Sequence, residues 1–171
     1  GTDRSLTFTN TATTAPTVIS IVSLGTGTGA TNNTVKNCNI STGVATTIGY
    51  GISVGGSTPG TTGADNDNVT IQNNSITVAP IGIYAAGTAS VTSGGDDNLL
   101  ITGNTIDYNA TLASIGIQVG NALTSTISLN TISEQTSVAQ APTAISLETG
   151  FVSSTVTRNT ITKSQIGRAH V

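Results

Sequence analysis

The stretch Asn68–Thr77 reads NVTIQNNSIT, and Leu99–Asp107 reads LLITGNTID. Laid over one another, they share a branched aliphatic (Ile71, Ile101), an asparagine three residues on (Asn74, Asn104) and an isoleucine two further on (Ile76, Ile106). The same frame returns in TISLNTIS from Thr126 and TVTRNTIT from Thr155, and more loosely in TVKNCNIS from Thr34. The middle position then reads Cys38, Asn74, Asn104, Asn130, Asn159, and the closing position Ile40, Ile76, Ile106, Ile132, Ile161. A second motif interleaves with the first: GISV from Gly51, GIYA from Gly82, GIQV from Gly116 and AISL from Ala144, with VISI from Val18 as a forerunner.

The closing isoleucines are 36, 30, 26 and 29 residues apart, so length varies between the motifs and not within them. A stacked solenoid tolerates this, because each coil touches only its neighbours and loops expand outside the repeat. Within each motif, β-branched residues alternate with Thr, Ser, Gln or Lys. That period of two marks a short strand with one buried face, and no helical apolar stripe appears. The expectation is an all-β parallel solenoid of about five coils, open at both ends, with coils at 17–40, 50–76, 81–106, 115–132 and 144–162. Ile52, Ile83, Ile117 and Ile145 should point inward from one sheet. The Val35-to-Val156 and Ile40-to-Ile161 columns should fill the core from two others.

Composition supports a neutral exterior. The 171 residues include 34 Thr, 18 Ser, 15 Asn and 20 Gly, with only 8% charged residues. Five Lys and Arg at a net charge of −3 leave no basic stripe for a nucleic-acid backbone. No run approaches the roughly 18 apolar residues of a membrane helix. Cys38 is the single cysteine, so no internal disulfide forms and no thiolate zinc cluster is available. At the head of the Asn column it reads as a small buried residue.

The alternation GIxV … NVTIxNNxI resembles the right-handed parallel β-helix of the pectate-lyase-like superfamily and of many bacterial surface proteins. The resemblance covers roughly Thr17 to Thr162. It implies a right-handed coil and, for Asn74, Asn104, Asn130 and Asn159, a structural ladder at one corner. It also raises a polysaccharide lyase or glycoside hydrolase as the alternative to a scaffold that contacts carbohydrate or another surface. Pattern without caps at either end is expected of a fragment, residues 1–165, of a larger secreted or cell-surface protein. Ile166–Val171 (IGRAHV) resembles a translated sequencing adapter, so His170, the only histidine, and Arg168 take no role.

The scarce carboxylates cluster. Asp65 and Asp67 in GADNDN and Asp96 and Asp97 in GGDDN form the candidate calcium site, because Ca²⁺ takes six to eight oxygens. Asn66, Asn68 and Asn98 would supplement them. The competing reading is that Asp, Asn and Gly close the turns before each strand. No catalytic residue is assigned: Arg4, Lys36, Arg158 and Lys163 are the remaining cations, and an Asp with a Gly-His-Gly turn is absent. Ice binding by flat Thr-x-Thr ranks is not expected: of the pairs flanking the Val35-to-Val156 column only Thr155 and Thr157 fit, and long irregular loops between the strands break a flat face. Sequons at Asn32, Asn39, Asn68, Asn73 and Asn109 are no more than this composition yields by chance. Gly25, Gly27 and Gly29 open no helix that would cradle a phosphate.

Overall fold

A computed structural model describes residues 3–43, 48–77, 79–88, 93–109, 114–135 and 142–162. Among them there is no helix; the chain runs through short strands that visit three sheets in rotation. In chain order these are β1 (Leu6–Asn10), β2 (Thr17–Val22), β3 (Thr34–Lys36), β4 (Cys38–Thr42), β5 (Tyr50–Gly55) and β6 (Thr70–Gln72). They continue as β7 (Ser75–Thr77), β8 (Ile81–Ala86), β9 (Leu100–Thr102), β10 (Thr105–Asn109), β11 (Ile115–Gly120) and β12 (Ala122–Leu123). The last six are β13 (Thr126–Ser128), β14 (Thr131–Gln135), β15 (Thr143–Leu147), β16 (Phe151–Val152), β17 (Thr155–Thr157) and β18 (Thr160–Thr162).

The first sheet has the order β1-β4-β7-β10-β14-β18, the second β15-β11-β8-β5-β2 and the third β17-β13-β9-β6-β3, with β12 and β16 as a separate pair. Every pairing is parallel. Parallel neighbours that recur once per repeat, with no crossover helix, define a β-solenoid.

Register puts like on like. Ile52, Ile83, Ile117 and Ile145 stand one above another in the second sheet. Val35, Ile71, Ile101, Ile127 and Val156 form the column of the third. Ile40, Ile76, Ile106, Ile132 and Ile161 form that of the first. Nothing of Ile52, Ile83, Ile117, Ile71, Ile101 or Ile127 reaches solvent. Full burial of each such side chain contributes about 1.5–3 kcal/mol. The columns end in the open: Leu6 and Phe8 at one mouth, Val156 and Ile161 at the other, are exposed apolar residues.

The glycines of the GIxV motif have a packing reason. A Cβ on Gly82 would lie 2.6 Å from the Gly116 carbonyl oxygen and 2.6 Å from Ile106 Cγ2; Gly51 and Gly116 stand in the same relation to Ile76 and Ile132. The bare backbone there lets the second sheet close onto the isoleucines of the first. The solenoid also starts before the first coil expected at residue 17, since β1 pairs with β4 and places Phe8 under Ile40. Ile166–Val171 lies outside the described residues.

Candidate functional site

Two corners concentrate the polar side chains. At the turn from the third sheet to the first, one residue takes a left-handed conformation and the next carries an inward amide. The left-handed residues are Asn37, Asn73, Gly103, Leu129 and Arg158, with φ between 52 and 65°. The backbone N–H of each of the first four donates to a carbonyl of the following coil: Gln72, Thr102, Ser128 and Thr157 in turn.

The inward amides form a continuous column. Asn74 Oδ1 accepts from the backbone N–H of Cys38 at 3.0 Å. Asn104 Oδ1 accepts from the backbone N–H of Asn74 at 2.9 Å and from Asn74 Nδ2 at 3.1 Å. Asn130 Oδ1 does the same for Asn104, both at 3.0 Å, and Asn159 Oδ1 for Asn130 at 3.0 and 2.9 Å. Each Nδ2 also donates backward to a strand carbonyl: Asn74 to Val35, Asn104 to Ile71, Asn130 to Ile101 and Asn159 to Ile127. These bonds satisfy backbone groups that the bend removes from the sheet ladder. Cys38 heads the column as a buried free thiol whose Sγ lies 3.1 Å from the Lys36 carbonyl oxygen.

The acidic residues stand at the opposite corner, on the loops that leave the second sheet for the third. Each places a carboxylate oxygen on a backbone N–H of a neighbouring coil. Asp65 accepts from Gly27 at 2.5 Å, Asp67 from Asp97 at 2.9 Å, Asp96 from Asn66 at 3.3 Å and Asp97 from Leu123 at 3.3 Å. Asn66 repeats the motif on Ala30 at 3.0 Å and uses its Nδ2 to reach the Gly55 carbonyl at 3.2 Å. On the surface beside them, Asn98 Nδ2 donates to Asn68 Oδ1 and Thr124 Oγ1 to Asn98 Oδ1. The four acids thus spread along the loops as acceptors. Among the described residues no three or more His, Cys, Asp or Glu converge where a metal ion would be held. Each carboxylate thus ties its turn to a neighbouring coil, which is what the turn-closing reading of these residues expects.

Asp96 departs from its neighbours. It is fully buried, and its Oδ2 has no hydrogen-bond partner among the described residues. Burial pushes its carboxyl up to about 8, aided by repulsion from Asp67 and Asp97 and opposed by the bonds from Asn66. Burial, then Asp67, also raises Asp97. The sequence reading placed Asp96 and Asp97 in one candidate cluster; the loop buries Asp96 together with Gly94 and Gly95 and leaves Asp97 half-buried.

Outside the second sheet, Tyr50 and Tyr84 meet edge to face, ring centres 5.7 Å apart at 66°. Gly60 packs on the Tyr50 hydroxyl, and the Gly60 N–H donates to Ser53 Oγ at 3.1 Å, so the loop after β5 covers this pair. Burial, with Tyr50, Glu148 and Asp96 nearby, raises the Tyr84 phenol to about 12. At the open end beneath Cys38, Leu6, Phe8, Val18, Ile19 and Val35 line an apolar mouth of about 540 Å³.

Stacked parallel sheets with one amide-lined corner place the chain in the class of parallel β-solenoids. No protein-family model, curated protein or solved structure matches it.

Proposed function

We propose that the chain is a rigid scaffold: a stretch of right-handed, pectate-lyase-like β-helix within a larger secreted or cell-surface protein, holding its outward faces against carbohydrate or another extended surface. The observation that supports this over a lyase or hydrolase is the engagement of all four clustered carboxylates with backbone N–H groups of adjacent coils. A lyase of the resembled type uses its acids to hold Ca²⁺ beside a basic side chain and a hydrolase uses them to exchange protons, whereas here one oxygen of each acid is tied into a turn. Arg4, the cation best fixed by side-chain contacts among the described residues, is spent elsewhere: its guanidinium clamps the Asn73 carbonyl and side chain, both at 2.9 Å. The neutral, hydroxyl-rich exterior suits contact without chemistry. Incubation with uronate polymers, with calcium and with chelator, tests the reading. Absence of cleavage and a melting temperature indifferent to chelator are expected; turnover of a uronate polymer would overturn it.

A further inference from the structure

In a solenoid each coil touches only its neighbours, and Arg4 breaks that rule. Its carbonyl accepts from Asn39 Nδ2 in β4 at 2.5 Å. Its Nε donates to the Asn73 carbonyl and its Nη2 to Asn73 Oδ1, both at 2.9 Å, at the bend that leads into β7. Nη1 donates to Thr105 Oγ1 in β10 at 3.3 Å, and Nη2 to the Gly103 carbonyl at 3.5 Å. In the order β1-β4-β7-β10 these partners stand one, two and three strands beyond β1, the last about 14 Å away at about 4.8 Å per step. Arg4 has φ 49°, in the left-handed region that arginine seldom enters, and it is half-buried between the exposed Asp3 and Ser5. Residues 3–5 therefore act as a strap laid across several coils, with the guanidinium as its fastening.

The bend is shaped to receive that group. Four neutral oxygens meet it: two carbonyls, one side-chain amide and one hydroxyl. Asn73 is oriented before the arginine arrives, because its Nδ2 donates to Asn37 Oδ1 at 2.7 Å and so turns Oδ1 toward the guanidinium. Room comes from Gly103. Its left-handed counterparts at this bend are Asn37, Asn73, Leu129 and Arg158, whereas a Cβ on Gly103 would meet, among the described residues, only the Asn73 nitrogen, at 3.9 Å. The acceptors lie on two successive coils, so a planar fork of five donors spans them. A lysine ammonium, with its donors on one atom, does not.

We propose that this bend is a guanidinium-binding site, filled in cis by Arg4 and able to take the arginine of another chain when the strap is withdrawn. The test compares the full chain with Arg4→Ala, Arg4→Lys and Arg4→Ala combined with Thr105→Val, using methylguanidinium as probe and methylammonium as control; circular dichroism establishes that each is folded. Arg4→Ala should lower the folding equilibrium constant about tenfold or more, the weight of hydrogen bonds to a charged group, and Arg4→Lys should recover little of it. Methylguanidinium should raise the melting temperature of Arg4→Ala with saturation and shift the backbone amide signals of Asn73, Gly103 and Thr105, since a ligand of the folded state stabilises it. The parent chain, whose site is taken, should show neither response, methylammonium should have no effect, and Thr105→Val should weaken the binding. Should Arg4→Ala not fold, the parent decides: the Arg4 Nε–H should be slow to exchange and show a nuclear Overhauser contact to the Asn73 side chain, and a rapidly exchanging Nε–H overturns the site. A loss of stability that methylguanidinium does not relieve also overturns it, as does Arg4→Lys matching the parent or methylammonium acting as well as methylguanidinium. Cleavage of a uronate polymer would strike the scaffold reading and leave this site standing.

Discussion

A carboxamide can donate and accept at once, and that double capacity explains why asparagine fills the bend between the third and first sheets. Asn104 accepts two bonds from Asn74, donates to the Ile71 carbonyl and passes a third link to Asn130. Each buried polar group left unpaired costs about 1–3 kcal/mol. Asn104→Ala orphans the Ile71 carbonyl and both Asn74 donors, so a loss of about 3 kcal/mol or more in urea unfolding is expected. The column was legible because the amide recurs at one position; the Asp96 site was not, because there an amide, Asn66, is followed by an acid in the next coil. Asp96→Asn restores a donor where Oδ2 has no partner among the described residues and should raise the melting temperature at neutral pH. The sign of the pH effect follows from the upward shift. Between the ordinary 3.8 and about 8 the folded state keeps a proton that the unfolded chain has lost, so stability falls as pH rises through that window and levels off above it. The advantage of Asp96→Asn should accordingly shrink toward pH 4, and melting curves across the window check it. Leu129 is exposed and left-handed where other coils use Asn37, Asn73 or Gly103. Relief of about 1 kcal/mol is expected for Leu129→Gly, read as a higher urea midpoint.

At the scale of strands and turns, legibility followed the strength of the recurring signal. Strands β6, β9, β13 and β17 and their partners β7, β10, β14 and β18 were plain, because an aliphatic, a corner amide and an isoleucine recur without gaps. Strand β1 was missed: Phe8 replaces the isoleucine and Leu6 stands opposite Cys38, where later coils have asparagine. The carboxylate corner was legible only as a cluster for a related reason. Sequence shows which acids share a coil position but not that a backbone N–H of the neighbouring coil already occupies each. The glycines of GIxV were legible as a motif and gained their cause only from packing. Gly82→Ala drives a methyl into the Gly116 carbonyl and Ile106, and overpacking of this kind costs about 1–3 kcal/mol. Ala144 holds the equivalent place opposite Gly116 in β15, at the edge of the sheet where, among the described residues, no further strand presses on it. Gly82→Ala should thus lower the urea midpoint, whereas Ala144→Gly should leave it nearly unchanged.

Over the whole molecule, stability is a sum of contacts between neighbouring coils, so damage should depend on position along the axis. Asn74, Asn104 and Asn130 are buried, while Asn159 is half-exposed near an open end. Asn159→Ala should cost less than half as much as Asn104→Ala, since water replaces the lost partners. All of this requires that isoleucines distant in sequence stack one above another in parallel register. Methyl–methyl nuclear Overhauser contacts in an isoleucine-labelled sample test it most directly. Stacking about 4.8 Å apart predicts contacts from Ile76 to Ile106, Ile106 to Ile132, Ile71 to Ile101 and Ile52 to Ile83, and none from Ile76 to Ile132, two steps apart. A network lacking Ile76–Ile106 and Ile71–Ile101, or one pairing these strands in antiparallel order, would contradict the solenoid and every conclusion built on it.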